Sequence, residues 1–281
     1  MGTFPERVVG GVNAALTAGF DLVLAPAIRL APMVTLTFVS VVTGLAMLWV
    51  VGRTSNQAGV ARAKRGIHAA LFEIRLFNDN LGAVLRALGR VLAHNARYLA
   101  YSLVPLAWVA LPLVLVISQL QAYYGYEGLP VGAPALVTMS LRDHRSAPPG
   151  TPTLSATDGI RVDAGPIVFP GAGEVIWRVV PTAPGDFVLR ATVDGEELSK
   201  TLHASGGPAR RSPFRVSGVL NLLLYPSEPA LPSGAPVSQI AVPYPEPGLD
   251  LLGWRVHWLI VYVAISMAAA FALAKRMGVT L

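Results

Sequence analysis

The chain has 281 residues, 53% of them hydrophobic and 14% charged, with a formal net charge of +6 and no cysteine. A composition this apolar excludes a single ordinary soluble domain. The lack of cysteine excludes disulfides, thiol catalysis and cysteine metal sites, and charge that changes sign from loop to loop argues against a DNA-binding surface.

Apolar runs long enough to cross a ~30 Å hydrocarbon layer mark a membrane protein. Residues 1–31 carry two bases and two acids. Within them Val8, Val9, Val12, Leu16, Phe20, Val23 and Leu24 fall near helical spacing, with Asn13, Thr17 and Asp21 between. Pro5 suits a helix start and Pro26 a stop. The pattern predicts an amphipathic helix lying in the outer interface, apolar face down. Its rival is a fourth span, which would put Asp21 in hydrocarbon at ~2.5–3.5 kcal/mol.

Residues 32–51 read as a first span. Its polar side chains are the hydroxyls Thr35, Thr37, Ser40 and Thr43, which bond back to a helix or favour helix packing. Trp49 stands at an aromatic-belt position.

Residues 52–97 follow, with eight bases (Arg53, Arg62, Lys64, Arg65, Arg75, Arg86, Arg90, Arg97) against Glu73 and Asp79. Short basic loops stay cytoplasmic, which sets the direction of every span; a basic inner surface also suits anionic lipid headgroups. Ile67, Ala70, Leu71 and Ile74 share one side of a first helical pattern. In a second, Leu81, Val84, Leu85, Leu88, Val91 and Leu92 form a stripe, and Arg86, Arg90, His94 and Arg97 another face. Asn78-Asp79-Asn80 supplies capping side chains between the two. The prediction is a helical hairpin of about 58–76 and 80–97, apolar faces packed together and basic edges outward.

A second span, 98–121, contains Pro105 and Pro112, which kink it where neighbours re-satisfy the backbone. Residues 122–253 hold nine bases, twelve acids and most of the prolines. Strand-length runs at Ala135–Leu141, Ile160–Ala164, Glu174–Val180, Phe187–Val193 and Leu198–His203 alternate with turn residues, Asp194-Gly195 signals a hairpin, and Trp177 reads as a core residue. This predicts an all-β immunoglobulin-like sandwich outside the cytoplasm. Val216–Tyr225 reads as a strand or a membrane-touching run, and Pro226–Pro247 as an extended return. A third span, 254–276, begins at Trp254 and Trp258, stops at Lys275-Arg276, and leaves a cytoplasmic tail, 277–281. The predicted class is therefore membrane α-helical, with three transmembrane helices, a cytoplasmic hairpin and an outer β domain. The predicted location is the bacterial inner (cytoplasmic) membrane, multi-pass, N-terminus outside and C-terminus cytoplasmic.

Five histidines (His68, His94, His144, His203, His257) are scattered, so no zinc site is expected. No phosphate loop, dinucleotide turn or serine elbow occurs. No acid lies within the three spans, which argues against proton-coupled transport. No catalytic residue, metal or cofactor is expected, and an enzyme is the least favoured class.

The order of elements, the stretch Leu36–Gln57 and the hairpin with Phe77-Asn78-Asp79 resemble the YidC/Oxa superfamily of membrane insertases, in particular its three-span branch, over residues 5–121 and 254–276. That resemblance implies a polar, inward-open groove among the spans and a hairpin that receives clients. The groove would be lined by Thr35, Thr37, Ser40, Thr43 and Arg53; Arg86, Arg90 and Arg97 would face lipid or ribosome. The chain departs from the family in lacking an arginine within the first core span and in its large β insertion. The expected function is non-enzymatic assistance to membrane-protein insertion or assembly, with lipids, hydrophobic client segments and other membrane subunits as partners. The alternative is a membrane-anchored interaction protein whose sandwich binds a partner outside.

Overall fold

The computed structural model describes residues 4–77, 79–142, 150–206, 209–232, 234–251 and 253–277. Four helices come first: α1 (Phe4–Leu30), α2 (Pro32–Thr54), α3 (Gln57–Leu76) and α4 (Leu81–Tyr124). Then follow β1 (Ala135–Leu141), β2 (Thr153–Ala156), β3 (Ile160–Phe169), β4 (Glu174–Pro181), β5 (Gly185–Val193), β6 (Glu196–Ala204) and β7 (Phe214–Val216). The chain ends with α5 (Val219–Leu224), β8 (Val237–Ala241), β9 (Leu249–Leu251), β10 (Trp254–Val256) and α6 (Trp258–Ala274). It forms two compact units, Met1–Thr35 with Val114–Trp258, and Leu36–Leu113 with Leu259–Leu281.

Two helices, α2 and α4, are long and apolar enough to cross a membrane. Only 6% of the most apolar window of α4 is buried inside the protein. A core helix of a soluble protein would be covered, so this uncovered apolar length calls for a non-aqueous surrounding. The apolar helix α6 is shorter, at 17 residues. It starts at Trp258, four residues after the expected boundary, because Trp254–Val256 pairs with β9 as a strand, and it ends at Ala274, two residues early.

In the first unit the described strands β1 to β10 pair antiparallel, and Leu129 adds an isolated parallel bridge to Ala204 of β6. The larger sheet runs β3-β4-β1-β8-β7, a second β2-β5-β6, and β9 pairs with β10 alone. The strands alternate as the sequence predicts: Phe187, Leu189, Ala191 and Val193 of β5 are buried, as are Ala135, Val137, Met139 and Leu141 of β1. Trp177 and Met139 from the larger sheet share one core with Leu189 and Leu202 from the smaller. Asp194 and Gly195 both have positive φ, 52° and 80°, between the paired Val193 and Glu196, so a two-residue turn closes β5 on β6. The apolar run after Val216 folds as the short helix α5, and the proline-rich return contains β8, which pairs with β1 and β7. Helix α1 passes through Pro26, where the sequence suggested a stop, and ends at Leu30.

In the second unit α3 and α4 form an antiparallel hairpin. Asn56 Oδ1 accepts from Gly59 N at 2.8 Å to start α3, and Asn80 Oδ1 from Ala83 N at 3.0 Å to start α4. Across the hairpin Glu73 pairs with Arg90, Gly66 abuts His94, and Lys64 lies 5.6 Å over the Tyr98 ring. The expected packing of leucine faces on each other is corrected here. The buried residues are Gly59, Ala63, Ala70 and Ala87, whereas Leu81, Leu85, Leu88 and Leu92 are exposed, Leu81 at 72%. Small residues of α3 make room for α4 side chains, the His94 ring against Gly66 and the Tyr101 ring against Gly59, while the leucines lie on another edge of α4 and are left outside. The hairpin arm and the expected second span are one continuous helix of 44 residues, Pro105 and Pro112 included.

Helices α2 and α6 run parallel in this unit. A Cβ on Gly44 would lie 2.4 Å from the Ser266 carbonyl oxygen, and farther along Leu48 and Val51 pack with Ala270, Leu273 and Ala274. Glycine at such a crossing is what allows two apolar helices to touch backbone to backbone.

Candidate functional site

The four hydroxyls of α2 expected to line a groove, Thr35, Thr37, Ser40 and Thr43, do not share one surface. Thr35 Oγ1 donates to the Ala31 carbonyl at 2.9 Å, and Ser40 Oγ, fully buried, to the Leu36 carbonyl at 2.7 Å. Both therefore satisfy themselves within their own helix. Thr43 is buried within reach of Tyr262, and Thr37 is exposed on its own. Arg53 sits in the last turn of α2, 5.3 Å over the Trp49 ring.

The basic residues of the hairpin are where helical spacing puts them. Arg86 and Arg97 are exposed, and so is Arg90, which also reaches Glu73. What sequence reasoning missed is that the leucine stripe is equally open. Leu81, Leu85, Leu88 and Leu92 repeat at helical spacing and continue as exposed Leu99, Leu103 and Leu106 along the same helix. An apolar track thus starts at the hairpin tip and runs into the membrane-type part of α4, with arginines on another edge.

The first unit holds a polar cluster that the sequence did not reveal. Arg210, in the loop before β7, donates from Nε to Asp21 Oδ1 at 3.0 Å, from Nη2 to Gln119 Oε1 at 2.7 Å and from Nη1 to Thr17 Oγ1 at 3.3 Å. Its guanidinium lies 5.2 Å over the Tyr123 ring, and the Tyr123 hydroxyl donates to Asp21. One arginine so ties α1 and the last turns of α4 to the β domain. The legible signal was Asp21 itself, a carboxylate midway along an apolar helix, which calls for a cation.

Beside this cluster opens a cleft of about 460 Å³, walled by Tyr123, Tyr124, Tyr126, Arg211 and Pro247 among others. Arg211 donates from Nη1 to the Tyr126 carbonyl at 3.1 Å, and Tyr124 to the Pro32 carbonyl at 3.0 Å. Among the described residues no three His, Cys, Asp or Glu side chains gather as a metal would need.

Neither the family models nor the curated proteins compared with the chain give a match. Among solved structures the chain is similar to the crystal structure of domains 4 and 5 of the S-layer protein SbsC, at 15% identity and a TM-score of 0.23. That similarity covers 29% of this chain and 48% of the other, about half of its length. A likeness at this TM-score does not assign the fold.

Proposed function

We propose that this chain is an insertase-like, non-enzymatic membrane chaperone of the YidC/Oxa type, with three spans and an added immunoglobulin-like sandwich outside. The observation that supports this reading is the open leucine track of α4, from Leu81 through Leu92 to Leu106. Large contiguous apolar surface on a protein marks an interaction site. Here it begins on a basic, charge-bearing hairpin and ends on a helix apolar enough to cross a membrane, which suits a hydrophobic segment passing from water into lipid. Clients would meet leucines first, because Thr35 and Ser40 are occupied within their own helix. The arginines Arg86, Arg90 and Arg97 would hold the hairpin near anionic headgroups or ribosomal RNA.

The test is site-specific photocrosslinking. Probes at Leu85 and Leu92 are expected to capture nascent membrane segments, and the double variant R86E/R90E to capture fewer. Crosslinks confined to lipid and to the chain itself would remove the chaperone reading. The second reading, a membrane anchor whose β domain binds a partner outside, is favoured by the tyrosine-walled cleft. Under that reading capture would occur at Tyr126 instead.

A further inference from the structure

Helix α1 is turned inside out for a helix in water. Its three polar residues between Val8 and Leu24, Asn13, Thr17 and Asp21, recur every fourth position and face the protein. Asn13 Nδ2 donates to the Leu222 carbonyl of α5, Thr17 joins Gln119 and Arg210, and Asp21 pairs with Arg210 and Tyr123. Every exposed residue in that stretch is Val, Leu, Ala or Gly, with Leu22 80% exposed. A surface helix of a soluble protein has the opposite arrangement.

Helix α5 adds to this surface. It packs against α1 with Leu222, which is buried, and leaves Val219, Leu220 and Leu224 outside, Leu220 at 68% exposure; its one polar residue, Asn221, is also exposed and donates back to the Ser217 carbonyl at 3.1 Å. It carries no charge, and the one charge on the described face-bearing stretch of α1 is neutralised by Arg210. Both elements are joined to chain that is membrane-type: α1 is separated from α2 by Ala31 alone, and its polar stripe contacts Gln119 and Tyr123 at the end of α4.

We infer that α1 and α5 together form a lipid-facing surface, seated in the acyl region of the leaflet beside the β domain through Val12, Leu22, Val23, Leu220 and Leu224. Burying such a face in the interface is favourable in proportion to its apolar area, and the polar stripe of α1 is turned inward, where Asn13 Nδ2, Thr17 and Asp21 have protein partners. Because α5 belongs to the β domain, the surface holds that domain against the bilayer at a fixed depth. The inference stands apart from client handling and survives the failure of that reading.

The cysteine-free sequence allows single nitroxide labels in the full chain, at L22C and L220C, with T192C on β5 as the water-exposed control. The protein is reconstituted into phosphatidylethanolamine–phosphatidylglycerol vesicles, and collisions with oxygen and with a water-soluble nickel chelate are measured. At positions 22 and 220 oxygen is expected to exceed the chelate several-fold, with the reverse at 192. A label at either position that follows the control overturns the inference, since the face is then in water. A label reached by neither reagent overturns it as well, since protein then covers the face. Quenching of a fluorophore at the same positions by acyl-chain nitroxide lipids gives an independent reading of the same contact.

Discussion

Arg210 and Asp21 are 189 residues apart in sequence and joined by a 3.0 Å hydrogen bond between Nε and Oδ1. With Arg210 largely buried and Asp21 partly so, removing the arginine strips the carboxylate of its cation and leaves it the Tyr123 hydroxyl.

R210A is therefore expected to destabilise the docking of α1 by ~1.5–3 kcal/mol, the range for hydrogen bonds to charged groups. D21N should cost less, because the amide oxygen still accepts from Arg210 and Tyr123. Thermal melts in detergent of both single variants and the double give the coupling. If the two effects add within ~0.5 kcal/mol, the residues do not act as a pair.

Lys200 occupies an inward position of β6 at 2% exposure, where alternation demands an apolar residue. Its ammonium donates to Glu228 Oε1 at 2.6 Å and to the Ser212 carbonyl at 2.7 Å. E228Q alone should cost ~3–5 kcal/mol by leaving a buried charge, whereas K200M/E228Q should be close to neutral. Burial, the largest influence, holds the lysine pKa below its usual value despite Glu228. The folded chain thus loses this proton at lower pH than the unfolded chain, so the unfolded state binds more protons in between and stability rises with pH up to about 10.4. Burial pushes the Tyr244 hydroxyl the other way, above its usual pKa, so stability falls above about pH 10 as the unfolded tyrosine ionises first. Burial raises the pKa of Tyr123, Tyr124 and Tyr126 in the same direction, so denaturation across alkaline pH should show the rise shrink in K200M and the fall shrink in Y244F; unchanged profiles would contradict both assignments.

Two glycines of the second unit differ in what blocks them. At Gly44 the obstacle is the Ser266 backbone at 2.4 Å, at Gly66 the His94 ring at 2.6 Å. G44A should cost ~1–3 kcal/mol, since a helix has to move. G66A should cost less, and H94A should restore it. Equal losses, or a loss at Gly66 that H94A does not relieve, would show that the close approaches are not what constrains these sites.

Sidedness is testable directly. The +6 charge of residues 53–97 predicts that the hairpin is cytoplasmic and the β domain is outside. Reporter fusions at Ala83 and Gly195 should give opposite compartments, and matching signals would mean an odd number of crossings has been misjudged.

Much of the β domain was legible because its long strands alternate: Phe187 to Val193 shows its period without help. The strands that were missed, such as Val237–Ala241, are too short for a period and lie among prolines, so only their partners β1 and β7 define them. The hairpin was legible from its caps and spacing, but its inner face was misassigned. Periodicity placed Ala70 on the packed side of α3, but it finds the leucine stripe of α4 and cannot tell which of two neighbouring faces meets α3; Ala63 and Ala87 carry too little hydrophobicity to announce an interface. Arg210 was invisible because the loop that carries it has no pattern, and only folding brings it to Asp21.

Gly10, Gly11 and Gly19 of α1 have nothing within 4 Å of where a Cβ would stand, unlike Gly44. No close approach requires them, and each weakens the helix by about 1 kcal/mol relative to alanine in water. Helix α1 is thus poor at holding its own shape and depends on what it leans on: Arg210, Leu222 and the surrounding solvent. Detached from these it should melt on its own, leaving the β core intact, so that the N-terminal segment and the β domain have separate lifetimes in hydrogen exchange.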